Sequence, residues 1–337
     1  MNPANHIPRH AQLQAFAMFT ATVLATFALS SNPVLAQGYP EKPIRVIVPW
    51  PAGGIADVVT RIVTQPLSER LQQPLVVDNR PGANGILAAN IAAKSAADGY
   101  TLFSVTSEIV SINPAVYAKL PYDAISDFVP ITPVVKYFYT LTGRSELRAD
   151  TVKELVALIK SQPGKFTYGS WGMGSVGHLG MEMLSQSAGL QMLHVPFNGG
   201  PPAYNAVVGG QVDMVMMPAG IADPFRKGGK LKAIAVPMEN RLFLMDNVST
   251  MKEQGFDLVV INHVGFLAPA KTPSDIVKKL HAAISGVMQM PEVQAALKAQ
   301  AADPFVLSPE EYSRFLSTEL TRWGTVARKA NISLELN

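Results

Sequence analysis

The chain has 337 residues, 48% of them hydrophobic, with 28 Lys and Arg against 25 Asp and Glu, no cysteine and a formal charge of +3. A balance so near neutral, with no stretch that interleaves basic and aromatic residues, argues against a nucleic-acid binder. Without thiols there are no disulfides, no cysteine catalysis and no thiolate metal sites, so the fold must rest on its core.

The first 36 residues have the layout of a secretory signal peptide. Arg9 and His10 form a thin basic region, and Ala15 to Leu29 is an apolar stretch of 15 residues. That is short of the about 20 residues a membrane span needs, and Val34-Leu35-Ala36 supplies the small residues of a cleavage site. No cysteine follows, so a lipid-anchored form is not available. The mature chain is expected to begin near Gln37 and to be soluble, with charge +2 once Arg9 is removed. An uncleaved N-terminal anchor is the alternative. The remaining roughly 300 residues exceed what one core usually serves, which predicts two domains.

In chain order, short β-branched runs alternate with amphipathic stretches, the pattern of α/β units with parallel strands. Ile44–Val48 is the first strand. Val59, Ile62 and Val63 recur at helical spacing and predict a helix to about Leu71; Pro66 should kink it, or end one helix and begin another. Leu75–Val77 predicts a strand, "GILAANIAAKSAA" a helix and "GYTLFSV" a third strand. From Asn113, "NPAVYAKLPYDAISDFVP" reads as loop. A second series follows. "VKELVALIKSQ" predicts a helix, "KFTYGS" a strand, and "VGHLGMEMLSQSAG" a helix ended by Gly189. "MLHVPF", "DMVMMP" and "LKAIAVP" are further strands. From "GFLAPA" the tail is mostly helical; Ile276, Val277, Leu280, Ile284, Val287 and Met288 line one face, with Ser274 as N-cap.

Two places share a strand, a glycine-rich turn and a helix start: "IRVIV" into "PWPAGGIAD", and "KFTYGS" into "WGMGSVGH". A helix N-terminus leaves backbone N–H groups without partners and carries about half a positive charge. Glycine lets a ligand approach that backbone closely. One such turn is ordinary; one in each half of the chain suggests a cleft for an anion. Neither turn carries the Lys-Ser/Thr of a phosphate loop. Gly172, Gly174 and Gly177 satisfy G-x-G-x-x-G, but Gln191 and His194 stand where a dinucleotide fold wants an acid. A carboxylate therefore fits better than a phosphate. An exported hydrolase of small esters is the competing class, with Ser175 and His178 as candidates, although G-x-S-x-G is absent. His194 and His263 lack partners at metal-ligand spacing, so neither metal nor cofactor is expected.

Many motifs in order, from Tyr39 to about Trp323, resemble the substrate-binding proteins of the tripartite tricarboxylate transporter (Bug) family. They include "YPEKPIRVIVPWPAGGIAD", "VVDNRPGANG", "DGYTL", "NPAVYAKLPYD", "PGKFTYGSWGMGSVGHL", "HVPFNGGPPAYNAVVGGQVD" and "GFLAPAKTP". The resemblance implies an α/β, two-lobed periplasmic-binding-protein fold of the type II kind, in which each lobe is a sheet flanked by helices. Residues 37–141 and 264–337 would form one discontinuous lobe and 142–263 the other, with hinges near Tyr139–Gly143 and Ile261–Gly265. It implies a monomeric, non-enzymatic receptor that closes on a small carboxylate for membrane transporter subunits; a sensor feeding a signalling partner is the alternative.

The ligand-binding positions carried over are Trp50, Pro51, Ala52, Gly53, Gly54, Ala56 and Asp57 on the first turn, with Thr106 and Ser107 after the third strand. Ser170, Gly172, Gly174, Ser175 and His178 belong to the second turn, and Asn198, Gly199, Asp213 and His263 to later loops. Asp57 also suits a first-turn residue stabilised by the helix dipole. Asn198 stands where the family commonly has a lysine, Glu108 where glycine is usual, and His263-Val264 where a Trp-led pair is usual. A less cationic cleft follows, and with it a ligand with fewer carboxylates than citrate, aromatic or amine-bearing. Trp50 and Trp171 could sandwich a ring.

Overall fold

The computed structural model describes residues 38–329 and 332–335; the expected signal peptide lies outside them. The β-branched run Ile44–Val48 is strand β1, and the bare backbone at Gly53-Gly54 then starts helix α1, Ile55–Leu71. Strand β2 (Leu75–Asn79), helix α2 (Ile86–Ala93) and strand β3 (Thr101–Thr106) follow. β2 and β3 lie parallel to β1 on either side. A π-helical turn, Glu108–Ile112, and the short helix α3, Asn113–Val116, lead to β4, Phe128–Arg144.

The second series runs through α4 (Val152–Ser161), β5 (Thr167–Ser170), α5 (Val176–Ala188), β6 (Leu193–Pro196), α6 (Gly200–Val208) and β7 (Met214–Pro218). It ends with α7 (Ala219–Lys227) and β8 (Leu231–Ala235). The chain returns through β9 (Ile261–Pro269), α8 (Ser274–Met288), α9 (Pro291–Ala299), β10 (Ala302–Pro304) and α10 (Pro309–Lys329). The strand order is β2-β1-β3-β9-β4-β7-β5-β6, with β8 and β10 also pairing β4. Parallel βα units thus stand at both ends of the sheet, and the antiparallel strands β4 and β9 join them.

β4 is the joint. Phe128 to Phe138 pair with β9, whereas Tyr139 to Gly143 pair with β7, so the strand changes partner between two adjacent residues. Its register slips at Pro130/Thr132 and at Pro133/Val135, next to the two prolines that cannot donate to a ladder. On the β1 side, Ile47, Phe103, Val105 and Leu267 from the sheet pack with Ile86 and Ala89 of α2 and with Tyr312 and Leu316 of α10.

Most elements fall where the pattern of apolar residues puts them, with four differences. Gly265 to Pro269, expected to open a mostly helical tail, belong to strand β9, held between β3 and β4. The segment expected as loop holds α3 and the start of β4, because local proline content hid a strand that tertiary pairing supports. α1 runs through Pro66 without ending, at the cost of one backbone bond. The cap of α8 falls on Pro273 rather than Ser274, which is the first helical residue.

Candidate binding site

In an open α/β sheet the crevice lies beyond the carboxyl ends of the parallel strands. Here four such ends converge. Trp50 follows β1, Glu108 follows β3, Trp171 follows β5 and Pro218 ends β7, and all four line one narrow cavity of about 20 Å³. Tyr137 and Tyr139 of β4 and Tyr204 of α6 complete its wall, and Gly54, Ile55 and Ala56 bring the start of α1 to it. Pro51 and Gly199 meet at the rim: a Cβ on Gly199 would lie 2.4 Å from Pro51 Cγ, and its φ of +102° already favours glycine. The two series of βα units are therefore drawn together over the cavity.

The first glycine turn splits into two parts. Ala52 and Gly53 are exposed, and the Gly53 N–H donates to Asp57 Oδ2 at 3.0 Å. Asp57 is buried and also accepts from Arg61 Nε (2.9 Å) and Asn79 Nδ2 (3.0 Å). Burial alone would raise its pKa; the bonds from Arg61, Gly53 and Asn79 outweigh that and hold it below the ordinary carboxylate value. Asp57 therefore fixes the turn. Gly54, extended at φ −74°, caps α1 and its N–H goes to Pro51 O. The next two N–H groups, of Ile55 and Ala56, meet no acceptor among the described residues, and both residues line the cavity. They sit at the positive end of a helix of 17 residues.

The second glycine turn is built differently. Ser175 is fully buried and caps α5: its Oγ donates to Gly172 O at 2.7 Å and accepts from His178 N at 3.3 Å. His178 Nδ1 accepts the Gly174 N–H at 3.1 Å, and Ser170 Oγ bonds His194 Nε2 at 2.6 Å. The two imidazoles stack at 4.2 Å. Burial, and then the neighbouring His178, push His194 down to about 3, so it stays neutral. Ser175 and His178 are spent on the turn and form no nucleophile–base pair. None of Ser170, Gly172, Gly174, Ser175 or His178 reaches the cavity wall; they hold Trp171, which does. The indole lies on the helix start, where a Cβ at Gly177 would come within 2.5 Å of its ring. It stacks on Tyr139 at 5.6 Å and meets Tyr204 edge-on at 6.4 Å.

Thr106 accepts the Trp50 indole N–H at 3.2 Å and so orients the first aromatic wall. Ser107 and His263 face away, onto a second cavity of about 240 Å³ with Lys136 and Arg322. There His263 bonds Ser107 Oγ at 2.9 Å and Tyr312 OH at 3.0 Å, and burial, with Lys136 and Arg322, pushes it down to about 3. Asn198 is exposed, and Asp213 takes bonds from Arg144 and Thr167. The structure thus gathers Trp50, Gly54 and Ala56 on the cavity, with Thr106 directly behind and Gly199 at the rim, and leaves Asp213, Asn198, Ser107 and His263 apart from it.

Sequence reasoning missed Ile55, Tyr137, Tyr139, Tyr204 and Pro218 as wall residues. Tyr137 and Tyr139 carried a signal, since residues two apart on a strand share a face, but only once β4 is read as a strand. Burial, and then the negative charge of Glu108, raise the pKa of Tyr137 and Tyr204 above the ordinary phenol value. Their hydroxyls stay protonated and can donate. Glu108 itself is buried, with Trp171 Nε1 and Asn262 Nδ2 donating to it at 3.1 and 2.9 Å.

Residues 59–332 match the model of the tripartite tricarboxylate transporter family receptor. Protein BugT of Bordetella pertussis is 33% identical over 316 residues, covering 93% of this chain and 96% of BugT. The structure of Rpa4515 of R. palustris with adipate superposes at a TM-score of 0.85 with 28% identity, over 88% of this chain and all of that one. MatC of Rhodopseudomonas palustris, with bound malate, gives 0.81 and 30%, over 86% and 99% of the two chains. The architecture is the two-lobed α/β fold of periplasmic binding proteins. With its sheet order, its cavity at the strand ends and its sequence in agreement, the chain belongs to the tripartite tricarboxylate transporter receptor family.

Proposed function

We propose that this chain is a periplasmic receptor that captures a small organic carboxylate as two lobes close on it, and presents the closed form to membrane transporter subunits. One observation carries the reading: the Ile55 and Ala56 N–H groups open onto an aromatic-walled cavity and have no acceptor among the described residues. A carboxylate there gains hydrogen bonds of about 1.5–3 kcal/mol each and neutralises the end of the α1 dipole. Residues 37–141 with 264–337 act as one lobe and 142–263 as the other. The partner change of β4 at Phe138/Tyr139 and the return at Ile261 supply the two hinge crossings.

Binding proteins of known structure in the family carry adipate and malate, which supports the carboxylate class. Trp50 and Trp171, both in the cavity wall, support an aromatic or otherwise flat body, and Glu108 supports an amine-bearing end. The receptor works as a monomer, exported by cleavage near Gln37. A thermal-shift screen of carboxylates tests this: a ligand at 100 times its Kd adds about 2.7 kcal/mol of stability. Ester turnover with no shift for any carboxylate would instead favour a hydrolase.

A further inference from the structure

Two helix N-termini approach the cavity, and they differ in one respect. At α1 the first-turn N–H groups have no acceptor among the described residues. At α5 the Val176 N–H already donates to Glu108 Oε1, at 3.4 Å, and the Trp171 indole N–H donates to the same oxygen at 3.1 Å. Asn262 Nδ2 donates to Oε2 at 2.9 Å. Glu108 opens the π-helical turn after β3, is 1% exposed, and takes two of its three donors among the described residues from the opposite set of βα units. Among the described residues no lysine or arginine lines the cavity with it.

We propose that Glu108 is a specificity-determining residue: a tethered carboxylate that fills the anion seat at α5 and restricts the ligand to one carboxylate, bound at α1. This rests on the receptor reading above and names its ligand class. A second ligand carboxylate would meet Glu108 in a buried space that holds no cation, where two like charges cannot both ionise cheaply. An ammonium or hydroxyl at the same end is welcome instead, because Oε2 has a single donor among the described residues and a carboxylate oxygen accepts two. The preferred ligand therefore has a carboxylate at one end, an apolar or aromatic middle and a hydrogen-bond donor at the other end. That class differs from the dicarboxylates adipate and malate bound by the related proteins.

The test is calorimetric titration with matched pairs of equal length: 4-aminobutanoate against succinate, 6-aminohexanoate against adipate, and 8-aminooctanoate against suberate. For at least one pair the wild type should bind the amino acid about tenfold or more tightly than the dicarboxylate, the minimum expected of one like-charge contact replaced by an opposite one. Glu108→Gln, nearly isosteric, should bring that preference to within about threefold, and Glu108→Gly, which vacates α5, should reverse it. Melting curves of both variants establish that they fold. Wild type that binds a dicarboxylate as tightly as its amino-acid partner, or a Glu108→Gln variant with the preference intact, overturns this proposal and leaves the receptor standing. No binding to either series, in wild type and variants alike, overturns the receptor reading and this proposal with it.

Discussion

The α1 seat can be tested by removing one N–H and little else. Proline at the first helical position has its ring pre-set for the helix, and its missing N–H is one the helix does not use. Ile55 is that first position, and Gly54 before it is extended at ψ 159°, the conformation that tolerates a following proline. Ile55→Pro therefore deletes a single donor from the cavity floor. If the ligand carboxylate takes that donor, the loss is about 1.5–3 kcal/mol, or roughly 10- to 150-fold in Kd. Because Ile55 is buried at 6% exposure, part of any effect could come from lost packing. Ile55→Val trims the side chain and keeps the N–H, at an expected cost of about 0.5–1.5 kcal/mol in stability. Calorimetric titration of both variants, with the carboxylate giving the largest thermal shift, separates the two terms. Equal affinity in Ile55→Pro and Ile55→Val would refute the claim that this amide holds the ligand.

Three further outcomes follow from the same geometry. Ser175→Ala removes the helix cap on the His178 N–H, so unfolding experiments should show a loss of about 0.5–2 kcal/mol; unchanged stability would contradict the capping role. Gly174→Val should cost more, because φ is +75° and a Cβ would lie 3.0 Å from Leu334 and 3.2 Å from Val116. His263 titrates at about 3 in the fold, below its ordinary 6.5, so its contribution is whole above pH 6.5 and is lost as pH falls toward 3. At pH 5 the loss is about 2 kcal/mol, and His263→Gln should flatten the stability profile between pH 6.5 and 4 relative to wild type. Parallel profiles would show that His263 is not held neutral.

Much of the architecture was legible. The β-branched runs at Ile44, Leu193, Met214 and Leu231 and the helical spacing of Ile276 to Met288 predict elements that the structure contains, because local propensity and tertiary packing agree there. β4 was not legible, since Pro130 and Pro133 signal a break and only pairing with β9 overrides it. For the site, both glycine turns could be read as helix starts, but their division of labour could not. Asp57 and His178 each bond a turn amide, at Gly53 and Gly174, through contacts of four residues that a sequence does not rank against a ligand. Ser107 and His263 lie at strand ends near the cleft, and which face of the sheet they occupy depends on a register no local pattern fixes. Glu108 was visible as a departure from the family pattern; that it reaches the opposite helix start was not.

The most direct measurement is a crystal structure of the protein purified without dialysis, or soaked with the carboxylate that shifts its melting temperature most. The account predicts a single ligand between Trp50 and Trp171, with a carboxylate oxygen within hydrogen-bond distance of the Ile55 and Ala56 amides. A ligand carboxylate bound instead at the Gly174–Ser175 turn, with the α1 amides facing only water, would contradict it.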